Sequence, residues 1–171
     1  MAVDQLLRIE NGEALRRVAR DIRQFEDGRE LRKRLRAELK SAVTPIVQAE
    51  KRAVLALPSK GQSSRRGRRS LRRDIARATQ ARIRMSGPRA GALVWVNPRR
   101  MPPGKANLPG YLEGVRPFQR WRHPVFGDTD TWVTQQPRPW FYRTAARYEN
   151  DVERAAVRAI ESIATEIESR R

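Results

Sequence analysis

The chain has 171 residues, 37 of them Lys or Arg and 19 Asp or Glu, for a formal net charge of +18. That length suits one domain, residues 1–171, with an arm or tail, and 39% hydrophobic residues allow a modest core. No cysteine and a single histidine exclude disulfides, thiolate or multi-His metal sites, iron–sulfur clusters and Cys nucleophiles. No apolar run approaches the roughly 20 residues of a membrane span. The first residues lack the charged-then-apolar order of a signal peptide, so a cytoplasm-like compartment is the expectation.

In chain order, Leu15, Val18, Ala19, Ile22 and Phe25 recur at spacings of three and four. They predict an amphipathic helix over 12–25, capped by Asn11 and stopped at Gly28, in an N-terminal extension covering 1–27. A longer helix follows from Glu30, with Leu31, Leu35, Leu39, Val43, Ile46 and Leu57 among the residues of its apolar face. Pro45 predicts a kink there, or a second helix capped by Thr44. Residues 59–70 are Gly, Ser, Arg and other polar residues and read as a flexible basic loop. A short helix from Ser70 precedes alternating Ala81, Ile83 and Met85, a half-buried strand. Gly87 and Pro88 then turn the chain into a second strand over 92–97, giving an antiparallel hairpin.

Residues 98–110 are Pro- and Gly-rich and predict an extended loop, with one helical turn at Tyr111–Gly114. Two extended pieces around Gly127–Thr131 follow, with a turn between them, and then a long helix over 142–170. The fold class is therefore α+β: a small antiparallel sheet packed against a long kinked helix and a long C-terminal helix, with extended loops.

Charge is uneven. Residues 60–105 carry 14 basic groups and one acid, net +13, whereas 140–171 are neutral. Such a cluster is an electrostatic footprint for a polyanion, most simply nucleic acid. The basic residues comprise 32 Arg and 5 Lys. Arginine forks suit phosphate, although a high-GC genome enriches Arg in the same way.

Motifs for catalysis are mostly missing. Gly104-Lys105 lacks the first Gly and the final Ser/Thr of a phosphate loop. Asp128 and Asp130 have the residue type for Mg²⁺, but their setting favours turn geometry. His123 has no partner motif and reads as a structural hydrogen-bonding group. No catalytic residue, metal or cofactor is expected. The aromatics are clustered too: nine of eleven lie between Tyr111 and Tyr148. A chain this small cannot bury them all, so they divide between core and subunit contact.

Several segments carry a resemblance. They are Val54-Leu55-Ala56-Leu57-Pro58, the Ser/Arg/Gly loop, Ser70-Leu71-Arg72, and strands around Gly87 and Gly91. Further along come Trp121-Arg122-His123-Pro124-Val125-Phe126-Gly127, Trp132-Val133, Gln136-Pro137 and Pro139-Trp140-Phe141. Over roughly 28–168 the chain resembles the small tail-component, or head–tail joining, proteins of long-tailed bacteriophages, especially those of high-GC actinobacteria. The resemblance implies a non-enzymatic virion part of the neck, assembled in the host cytoplasm as a homo-oligomeric ring around the DNA channel. Its implied partners are a portal-side connector or stopper ring, a tail terminator or tail tube protein, and packaged double-stranded DNA held without sequence preference. In a ring, Arg65, Arg66, Arg68, Arg69, Arg72 and Arg73 would face DNA or another polyanion. Arg99, Arg100, Met101, Pro102, Trp121, His123, Phe126, Trp132, Trp140 and Phe141 would make subunit contacts. The alternative is a small basic nucleic-acid-binding protein, which the net charge favours and the lack of any binding-module signature disfavours.

Overall fold

The computed structural model describes residues 7–8, 12–58, 70–88, 90–114, 121–125 and 128–170. The expected helix and cap at 1–27 change in detail. Helix α1 spans Gly12–Asp21 and buries Leu15, Val18 and Ala19, and a 3₁₀ turn at Ile22–Gln24 buries Ile22. Asn11, the expected cap, lies outside the described residues. Gly28 does not end this helix. It opens the next one, α2, at Gly28–Ala56. The turn is so tight that a Cβ on Gly28 would lie 2.1 Å from the Ile22 carbonyl oxygen, so only glycine fits.

Helix α2 crosses Pro45 as one helix, not as two capped at Thr44. Pro45 has no N–H for the Ser41 carbonyl. One residue earlier, the Thr44 hydroxyl donates to the Lys40 carbonyl at 2.8 Å. Packing overrides the missing bond, because Leu31, Leu35, Leu39, Val43, Ile46 and Val54 form one continuous buried stripe.

Helix α3 (Leu71–Ala78) leads directly into strand β2 (Thr79–Arg84). Strand β2 pairs antiparallel with β3 (Gly91–Val96), as the alternation predicts. The sequence does not reveal the third strand, β1 (Leu7–Arg8), which pairs with β3 at Leu7↔Val94 and Arg8↔Leu93. The sheet order is β1-β3-β2. Its inner face (Thr79, Ala92, Val94, Val96) joins the core against α2.

The 98–110 segment is more structured than its composition suggests. It contains a 3₁₀ turn at Pro98–Arg100, capped by the Asn97 side chain accepting from the Arg99 N–H. It then enters helix α4 (Leu108–Glu113), which ends on Gly114 at φ +80°. Strands β4 (Trp121–Val125) and β5 (Asp128–Gln135) form a separate antiparallel hairpin. Asp128–Thr131 thus belongs to a strand. Its start is irregular, however: the pairing jumps from Pro124↔Trp132 to Val125↔Asp128. The Asp128 carboxylate accepts from the N–H groups of Asp130 and Thr131.

The expected helix at 142–170 is divided into α5 (Phe141–Ala145) and α6 (Glu149–Ser169). Bonds from the Arg147 and Tyr148 N–H groups to the Thr144 and Ala145 carbonyls tighten the chain between them. Helix α6 packs on α2 and α1, whereas the sequence places it over the sheet. Arg34 pairs with Glu166 at 3.0 Å and Arg170 with Asp27, so α6 runs antiparallel to α2. Among the described residues no helix is long and apolar enough to cross a membrane.

Candidate functional site

The arginine cluster divides. Arg65, Arg66, Arg68 and Arg69 lie outside the described residues. Arg72 and Arg73 open α3. Arg73 is exposed, but a guanidinium N–H of Arg72 donates to the Leu57 carbonyl. Arg72, half-buried, therefore ties α3 to the end of α2 through one of its N–H groups.

The expected interface residues also divide. Arg99 and Arg100 are exposed on the 3₁₀ turn and Pro102 is half-buried. Met101 is buried in the core. Trp140 and Phe141 are 2% and 0% exposed and meet edge to face at 5.4 Å. These three side chains hold the subunit's own body together and cannot reach a neighbour. Phe126 lies outside the described residues, and of Trp121 only the backbone position in β4 is described. His123 is half-buried, with Nδ1 2.9 Å from the Pro124 carbonyl oxygen and Nε2 3.1 Å from Gln135 Oε1. The ring braces β4 against β5.

Trp132 has the geometry of a contact residue. It is 49% exposed, its neighbour Val133 is 39% exposed, and the Arg122 guanidinium sits 6.0 Å from the Trp132 ring centroid. Every residue of β5 from 128 to 134 is exposed. No described side chain of β4 or β5 enters the core. A two-stranded hairpin without a packed face is marginal alone.

Buried acids form a second constellation that sequence reasoning missed. The Glu113 carboxylate accepts from the N–H groups of Trp140 (2.7 Å), Phe141 (2.8 Å) and Tyr142 (3.2 Å), closing the start of α5. Glu50, on the buried stripe of α2, is fully buried, and neither of its oxygens finds a partner among the described residues. Burial, and then the nearby Glu113, push its carboxyl up to about 9. Glu50 thus carries a proton at neutral pH. Its signal in the sequence was an acid at an apolar position, three residues after Val47 and four before Val54.

A third arrangement is the outer face of the three-stranded sheet. The register places Gln80 beside Trp95, Arg82 beside Leu93 and Arg84 beside Gly91. Arg82 stacks over the Trp95 ring at 5.8 Å. Asp74, the one acid of residues 60–105, is itself buried.

Among the described residues, no group of three or more His, Cys, Asp or Glu side chains could hold a metal. Asp128 and Asp130 are exposed, and hydrogen bonds from Thr131 and Asp130 hold the Asp128 carboxyl below its usual range. An open groove of about 580 Å³ between α2 and α6 has an apolar floor that includes Ala42, Pro45 and Ala155, with Glu38, Ser41, Asp151 and Arg158 also lining it. No family model, curated protein or solved structure matches the chain.

Proposed function

We propose that this protein is a structural subunit of a bacteriophage neck: a ring-forming head-to-tail connector or tail completion protein surrounding the DNA channel. Its partners would be the portal-side connector or stopper ring on one side and the tail terminator or tail tube on the other. It would be made in the host cytoplasm and kept in the virion, with no enzymatic role.

The observation that carries the reading is the β4–β5 hairpin. It holds Trp121–Val125, part of one of the two most specific segments of the resemblance, and it presents Trp132 and Val133 to solvent outside the core. A heterologous contact of this kind, repeated about a closed axis, makes a ring. Arg99 and Arg100, exposed on the 3₁₀ turn, are further candidates for subunit contact.

Negative-stain electron microscopy of the concentrated protein at low and moderate salt tests this. Closed rings with an open centre are expected, and their symmetry gives the subunit number. Unassociated particles at every concentration would overturn self-assembly. The concentration of +13 in residues 60–105 favours a second reading, a small basic nucleic-acid-binding protein. That protein would bind DNA tightly as a monomer near physiological salt, with a steep log–log salt slope.

A further inference from the structure

Cross-strand partners in an antiparallel pair project to one face. The outer face of the sheet therefore carries Gln80, Arg82 and Arg84 from β2, with Leu93 and Trp95 from β3; Arg82 is exposed, Gln80, Arg84 and Trp95 are half-buried, and Leu93 is buried. Among the described residues no carboxylate pairs with Arg82 or Arg84. The chain on either side of the two strands is poor in acids as well. Residues 70–105 hold nine basic residues and one acid, and that acid, Asp74, is 3% exposed.

Two features make this face more than a solvated charge patch. Arg82 lies over the indole of Trp95 at 5.8 Å, which restrains the guanidinium before any ligand arrives. Arg82 and Arg84 are two steps apart on one strand, about 6.6 Å along it. Successive phosphates of a nucleic acid strand are spaced similarly. A three-stranded sheet is wider than the two-stranded ribbon that a major groove admits, and Arg82 already occupies the face of the Trp95 ring. The arrangement thus suits phosphates and leaves bases unread.

We propose that the outer face of the β1-β3-β2 sheet is a binding site for the phosphate backbone of duplex DNA, in which Arg82 and Arg84 each engage a phosphate and Trp95 positions Arg82. The site extends the neck reading but does not depend on ring formation. Rings are read by microscopy and DNA contact by titration, so either can fail alone.

The experiment is fluorescence anisotropy of labelled duplex DNA with the full chain, over a salt series from low ionic strength. The wild-type protein should bind duplexes of unrelated sequence equally. R82Q/R84Q should reduce the slope of log affinity against log salt by about 1.8, at roughly 0.9 for each phosphate left without its arginine. R82Q alone should remove about half of that. R143Q/R147Q, exposed arginines outside the sheet, should change the slope much less. Circular dichroism of each variant confirms that it is folded.

Four outcomes overturn the site: an unchanged slope in R82Q/R84Q, equal losses in the two double variants, tighter binding of single strands than of duplex, or absence of wild-type binding at low salt.

Discussion

Two glutamates sit inside this basic protein. Glu113 is satisfied, because three backbone N–H groups at the start of α5 point at its oxygens. Glu50 lies near it, buried and without a partner among the described residues, and is pushed up to about 9. A lone buried carboxylate is costly, so Glu50 keeps its proton. The folded value lies above the unfolded one, so the contribution to stability is complete below the unfolded value and is lost as pH rises through the folded value. Wild-type protein should therefore lose stability between about pH 5 and about pH 9, and E50Q should lose much less. Urea midpoints across that range measure the difference. Parallel curves for the two proteins would mean that Glu50 is not the group that titrates.

The element on which the proposed function rests is the β4–β5 hairpin. Most elements of the protein contribute to one buried cluster, but the hairpin contributes no described side chain. Its exposed residues therefore owe little to folding, and substitutions there should shift stability by no more than about 0.5 kcal/mol. W132S/V133S should melt like the wild type yet form no rings under the microscope. Rings from the double variant would move the subunit contact elsewhere, with exposed Arg99 and Arg100 the next candidates. The same logic explains the corrections at Met101, Trp140 and Phe141. In the sequence they lie among interface-type residues. In the fold, α4 and α5 bring Trp140 and Phe141 under Glu113, where they fill the core.

At the scale of the whole molecule, charge is the governing feature. The helical layer made by α1, α2 and α6 has Arg34–Glu166, Arg170–Asp27 and Arg154–Asp151 pairs on its surface. The segment from 60 to 105 carries most of the excess positive charge. In the proposed neck assembly, that segment faces DNA. Replacing Arg65, Arg66, Arg68 and Arg69 with Ser should leave rings intact and change DNA retention in assembled particles. Retention and ejection identical to wild type would make the loop a docking or solubility device.

The sequence by itself determined the α+β class, the long buried stripe of α2, the β2–β3 hairpin and the focus of positive charge. These depend on local periodicity and composition, which each segment carries alone. It could not reveal β1, two residues long and without a period, nor choose between one helix through Pro45 and two capped at Thr44, where packing outweighs one missing hydrogen bond. It could not divide the aromatics between core and surface either, since Trp132 and Trp140 differ only in what folds over them. Nor could it show that Glu113 closes α5, that Arg72 ties α3 to α2, or that Arg82 lies on Trp95. Each of those interactions joins residues distant in the chain, and only the tertiary structure brings them together.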